Sequence, residues 1–285
     1  MRFLGRVAAL LALVTALGCA TAAPEHGAVR AFAPSGVGTT GVRPASSSGG
    51  GNAITLPTPA FDYDARNVDG LNNSTMVDGN TIATWKNLGS FGSGGDLIQA
   101  TGGNRPTYRA VADAGKINNL PGAQFSGNQF MPSNAITAQA TPFMCATLFR
   151  STASGTQVIY SGHTAGSEAE MFLSSTTVEY SNATLITGPW SVSANQWNLL
   201  IEFHDGGARG FQVLNGRKNV TPSPGAGTVS FVGVTLGAEG TAAGFPMTGF
   251  IARHIRWSGV HVGDIPSPEA VAAYFAATYG TLPTP

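Results

Sequence analysis

"WKNLGSFGSGGDLIQATGGNRPTY", residues 85–108, decides how the chain is read. The stretch carries six glycines and one tryptophan. Two kinds of structure use so many glycines: a loop that grips phosphate, and the turns of a β-sandwich. A dinucleotide loop needs G-x-G-x-x-G between a strand and a helix. Gly92 and Gly94 supply the first two glycines, but Leu97 stands where the third belongs. No helix pattern follows; "LIQATGGNRPTY" is strand-like, then broken by Gly102-Gly103 and Pro106. The Lys-Ser/Thr pair of a phosphate loop is also missing. These glycines are read as turns, and no nucleotide is expected.

The same texture continues downstream. "PFMCATLFR", "TQVIYSG", "AEMFLSS", "TVEYSN", "QWNLLIEFHDG", "RGFQVLNGR", "TVSFVGVTLGA" and "GFIARHIRWSG" each read as a short strand bounded by turn residues. In "GFQVLNG", Phe211, Val213 and Asn215 alternate with Gln212 and Leu214. "HDGGARG" and "LNG" read as hairpin connections. One helix is expected near the end, in "SPEAVAAYFAATYG". Ser267 serves as N-cap, Pro268 and Glu269 suit the first turn, and Gly280 stops it. Val271, Tyr274, Phe275 and Thr278 fall on its packing side. The fold expected from this pattern is all-β, a sandwich or jelly roll with a short C-terminal helix.

Composition agrees. Charged residues are 11% of the 285, and 15 basic side chains balance 15 acidic ones. An average chain carries about 25%. With no basic stripe, no nucleic acid partner is expected. Residues 1–23 read as a signal peptide: Arg2 and Arg6 precede the apolar run Val7–Leu17, too short to span a bilayer. "ATAA" (20–23) offers ordinary cleavage. "ALGC" (16–19) offers lipoprotein processing of a signal at 1–18 with lipidation of Cys19, although its Ala and Leu stand in reverse of the usual order. The expectation is a secreted, periplasmic or outer-surface protein, its only membrane contact a lipid anchor at Cys19. Residues 24–57 are a flexible linker by composition, and 58–285 the folded domain. Cys145, in an apolar run, is read as a buried hydrophobe without a disulfide partner.

The opening of that domain resembles a known family. "FDYDARNVDGL", the glycine-rich stretch and "LPGAQFSGNQFM" resemble the start of the bacterial laminin-G-like jelly rolls of the concanavalin A-like lectin/glucanase superfamily. The matching positions are Asp64–Ala65, Trp85, Asn87, Gln99–Thr101, Arg105, Pro106, Tyr108 and Phe125–Gly127. "GFPMTGFIARHIRWSG" resembles the final core strand, and "EAVAAYFAATYG" the terminal helix. Arg253 departs from the pattern, standing where such domains often have an acid. The resemblance implies a two-sheet antiparallel jelly-roll sandwich with a short C-terminal helix, and Trp85, Phe125, Trp197 and Trp257 as its core fillers.

Catalytic motifs are sparse. The hydrolytic members of that superfamily carry Glu-x-Asp-x-x-Glu, which aims acids into one cleft. Here Glu168 and Glu170 share a face with no third acid, and Glu202 and Asp205 fall on opposite faces; all are read as solvated edges or turns. The histidines show no metal spacing. His254 and Arg256 alternate with Ile255 and Trp257, an ordinary polar and apolar face. The resemblance leaves room for a structural calcium, with Asp62, Asp64, Asp69, Asp78 and Asp96 the loop acids, but no calcium motif is present. The expected function is a non-catalytic module that binds glycan or a cell-surface ligand, with Trp190 in "GPWS" and His163 in "SGHTAG" as ligand contacts. The alternatives are a polysaccharide-degrading hydrolase or lyase with an unusual acid set, and an adhesive or envelope protein that recognises another protein.

Overall fold

A computed structural model describes residues 54–139, 142–152, 155–163, 170–181, 185–192, 194–204, 210–219, 231–242, 244–258 and 265–282. The signal, the lipidation site at Cys19 and nearly all of the linker lie outside them. The strands are β1 (Phe61–Asp64), β2 (Thr84–Trp85), β3 (Leu97–Ile98), β4 (Thr107–Arg109), β5 (Gly122–Ser126), β6 (Met131–Pro132), β7 (Phe143–Ser151) and β8 (Thr156–Ser161). Then come β9 (Glu170–Ser174), β10 (Thr177–Ser181), β11 (Leu185–Ser191), β12 (Trp197–His204), β13 (Gly210–Leu214), β14 (Arg217–Asn219), β15 (Thr235–Leu236) and β16 (Thr248–Ser258). Helix α1 (Pro268–Tyr279) closes the fold.

Among the described residues these strands form three sheets, all antiparallel in their pairings. The large sheet runs β14-β13-β12-β7-β16-β5-β4, with β1 also paired to β16. The second runs β11-β10-β9-β8-β15-β6, and β2 and β3 make a small third. Phe61, Cys145, Phe149 and Leu200 of the large sheet share one apolar cluster with Ile159, Met171, Leu173 and Val178 of the second. The opposite face of the large sheet packs on α1, through Ala146, Leu148, Ile255 and Trp257 against Val271, Phe275 and Tyr279. Both faces of β7, β12 and β16 are therefore covered, which is why "FMCATLF" and "WNLLI" read as continuous apolar runs rather than alternating ones.

Local chemistry fixes the details. Ser267 accepts from the Ala270 amide at 3.2 Å, and Gly280 ends the helix at φ 84°. Asn215 and Gly216 take φ 47° and 88°, the left-handed pair of a tight hairpin joining β13 to β14. The glycines of 85–108 are turns and close contacts. A Cβ on Gly89 would lie 2.4 Å from the Ala60 carbonyl oxygen, and one on Gly95 2.6 Å from Asn87 Nδ2. Trp85, Phe125, Trp257 and Cys145 are buried core residues as expected, and Trp197 is buried too.

A bulge in β16 has a large consequence. The pairing of β16 with β7 shifts between Ile251 and Arg253. Ile251 belongs to the inter-sheet cluster, while Phe250, Ala252, Ile255 and Trp257 belong to the helix-side cluster. One extra residue thus turns His254 and Arg256, rather than Arg253 and Ile255, into the inter-sheet layer.

Candidate functional site

That layer is the chemically richest part of the described structure. Cross-strand register builds it: Glu202 opposes Cys145, Cys145 opposes Arg256, and Arg256 opposes Phe61. In the next row, Thr147 opposes His254 and His254 opposes Tyr63. The Glu202 carboxylate accepts from the Tyr160 hydroxyl, contributed by the facing sheet, and from Gln212 Nε2 at 2.9 Å. Burial pushes its pKa up to about 7, against the pull of those two hydrogen bonds. Thr147 Oγ1 lies 2.8 Å from His254 Nδ1, and the His254 ring sits 4.8 Å from that of Tyr160. Burial, with Arg256 nearby, lowers His204 and His254 to about 3, so both rings are neutral at physiological pH. The Arg256 guanidinium stands 3.0 Å from the Phe231 ring centre and 4.1 Å from that of Phe143. Burial raises the Cys145 thiol to about 11, which leaves it un-ionised and a poor nucleophile.

The sequence reading of Glu202 as a solvated edge is corrected: it is 1% exposed, because the second sheet covers this face. His254 and Arg256 lie on the polar face that alternation indicates, and both are 0% exposed. A carboxyl poised near 7 suits general acid chemistry, but a substrate must reach it. The other buried carboxylates, Asp62, Asp64 and Asp96, are occupied elsewhere. Arg253 holds Asp62 through two bonds of 2.9 and 2.8 Å and donates to the Tyr274 hydroxyl at 2.6 Å. Asp64 pairs with Arg66, and the Asp64 carboxylate accepts a 3.4 Å bond from Tyr279. Burial drives Asp64 up, but Arg253 and Arg66 outweigh it and hold the carboxyl below its usual value. Arg253 is thus the anchor between β1, β16 and α1.

The remaining loop acids are engaged as well. Asp69 accepts from the amides of Leu71, Asn73 and Thr75, Asp78 from Ala110, and Asp96 from Lys86 and the Asn87 amide. Among the described residues no group of three His, Cys, Asp or Glu is placed to hold a metal ion.

The two predicted ligand contacts are not neighbours. Trp190 lies within β11, not in a loop, half-buried against the inter-sheet core. His163 follows β8, half-buried beside Gly233. Three strand spacings separate β8 from β11, roughly 14 Å. Glu168 and Asp205 lie outside the described residues, as does the Glu170 side chain.

A surface cleft of about 330 Å³ lies on the other side of the large sheet, lined by Lys116, Ile117, Gln196, Trp197, Thr281 and Leu282. Its first wall is a left-handed turn, with Ile117, Asn118 and Asn119 at φ 41°, 55° and 54°. Asparagine tolerates this; β-branched Ile117 does so at a cost of about 1–2 kcal/mol. Asn118 Nδ2 pins the turn to the Thr278 carbonyl at 2.9 Å. The Trp197 indole donates to Asp113 at 3.2 Å, and Asp113 accepts from Arg150 at 2.7 Å. Three segments far apart in sequence meet here, so no local motif could have announced the cleft.

No protein-family model matches the chain, and no curated protein matches it in sequence. Solved structures do match in fold. Domain 4 of AbnA, a GH43 extracellular arabinanase from Geobacillus stearothermophilus, determined in complex with arabinotriose, aligns at TM-score 0.50 and 16% identity, over 77% of this chain and 99% of that one. A Trypanosoma rangeli sialidase aligns at TM-score 0.51 and 8% identity over 82% of this chain. The alignment spans only 34% of that sialidase. The class these likenesses show is one of fold: a predominantly antiparallel β structure like those two.

Proposed function

We propose that this protein engages carbohydrate in the breakdown of polysaccharide outside the cytoplasm, through a laminin-G-like jelly-roll sandwich. The correspondence to domain 4 of the arabinanase carries this reading, since it takes in 99% of a domain determined with a bound trisaccharide. The kinship with glycoside-cleaving enzymes supports a degradative setting over an adhesive or envelope role. Export rests on the basic-apolar-small pattern of residues 1–23.

Within that setting, binding suits the described side chains better than bond cleavage. Glycoside hydrolysis needs two carboxyl groups about 5–9.5 Å apart across an open cleft. Glu202 is sealed and shares its layer with neutral histidines and an arginine. One observation favours the catalytic alternative: its carboxyl is held near 7 with a tyrosine hydroxyl on it. Calorimetric titration of the full chain with arabinan, xylan and polygalacturonate, alongside an assay for new reducing ends or unsaturated products, separates the two. Binding without product supports the module. Product that disappears in Glu202→Gln supports the enzyme. Neither binding nor product contradicts the proposal.

A further inference from the structure

We propose that the cleft beside the C-terminal end of α1 is the glycan site and that it takes a carboxylate-bearing sugar unit, with Lys116 as its anion contact. This rests on the carbohydrate reading above. The cleft's charge carries the argument. Lys116 is exposed, and among the described residues its ammonium has no hydrogen bond or ion pair. Among the described residues no carboxylate lines the cleft. Asp113, which accepts from the Trp197 indole, is already balanced by Arg150 at 2.7 Å. Among the described residues the site therefore presents one positive charge with no carboxylate partner, beside the half-buried Leu282, with Trp197 and Ile117 buried beneath it.

The remaining chemistry fits a sugar ring. Gln196 and Thr281 are exposed polar side chains on the rim, suited to hydroxyls, and the half-buried Leu282 offers an apolar contact to a sugar ring. A volume of about 330 Å³ is at the small end for ligand clefts and favours one ring over a long chain segment. The wall is also preorganised. Three consecutive left-handed residues hold Lys116 and Ile117 in place, tied to the helix end by Asn118 and closed by Asn119, whose Oδ1 accepts from Gly115 at 2.7 Å. Strained backbone of this kind persists where the surroundings enforce it, and such places cluster at binding sites.

The test is calorimetric titration of the full chain with polygalacturonate oligosaccharides and, in parallel, with neutral arabino-oligosaccharides. The acidic ligand is expected to bind more tightly and to weaken as salt rises. Lys116→Ala should lower its affinity about tenfold, the loss of one charge-assisted hydrogen bond. Lys116→Arg should retain affinity. Thr281→Tyr, a change at an exposed position, should block the cleft without touching the core. Glu269→Gln, at the opposite end of α1, should bind as wild type. Acidic glycan bound equally by wild type, Lys116→Ala and Thr281→Tyr would overturn this site and leave the carbohydrate reading standing. Binding of the neutral ligand alone would overturn the acidic specificity. Binding of neither would remove this proposal together with the reading beneath it.

Discussion

Glu202, His204 and His254 show what burial does to ionisable groups, and their pH signatures oppose one another. Glu202 has a folded pKa of about 7, above its unfolded value, so its stabilising contribution is present at low pH and is lost as pH rises through 7. The histidines are held near 3, below their unfolded value, so their contribution is present above about 6.5 and is lost as pH falls toward 3. Between about pH 4.5 and 6.5 the unfolded chain binds two histidine protons while the folded chain binds one on Glu202. Stability from these three groups then falls by roughly 1.4 kcal/mol per pH unit on acidification. Glu202→Gln removes the opposing proton and should double that slope. Above pH 7.5 it should raise stability over wild type by on the order of 3 kcal/mol, since no carboxylate is left ionised in the core. Urea unfolding of both proteins at pH 5, 6 and 8 checks the slope and the crossover.

The glycines offer a second comparison at this scale. Gly89→Ala drives a methyl into the Ala60 carbonyl and should cost about 1–3 kcal/mol. Gly94→Ala, with nothing within 4 Å, should change the melting temperature little. The contrast in thermal unfolding distinguishes the structural glycines of residues 85–108 from the spacers.

At the scale of elements, Arg253 joins β16 to β1 through Asp62 and to α1 through Tyr274. Arg253→Met leaves the buried Asp62 carboxylate without its cation, while Asp64 keeps Arg66, and should destabilise by about 3–5 kcal/mol. The double variant Arg253→Met, Asp62→Leu should recover much of that loss. Hydrogen exchange should show the amides of α1 losing protection first in the single variant.

The elements were largely legible in the sequence. β7, β8, β9, β10, β12, β13 and β16 fall where apolar runs sit between Gly, Asn and Ser clusters, and α1 falls between Ser267 and Gly280. β11 was missed, because Gly188 and Pro189 make "TGPW" read as a loop; an edge strand tolerates both. The polar layer was not legible. Alternation in "IEFH" and "RHIRW" correctly puts polar residues on one face, but alternation says nothing about whether a second sheet covers that face. The β16 bulge, which selects His254 and Arg256 for the interior, leaves no mark on local pattern. Trp190 and His163 were chosen for loop-like surroundings, and neither belongs to the cleft.

Across the whole molecule, two layers divide the work. The inter-sheet layer is sealed and sets stability. The helix-side face of the large sheet carries the open cleft, assembled from residues 115–119, 196–197 and 281–282. The glycan recognition we propose is placed on this outer side. Affinity electrophoresis of the full chain, through gels cast with and without arabinan or polygalacturonate, tests the central claim most directly. Migration should be retarded in at least one polysaccharide gel, and free oligosaccharide of the same kind should reverse it. Identical mobility in every gel would contradict the claim.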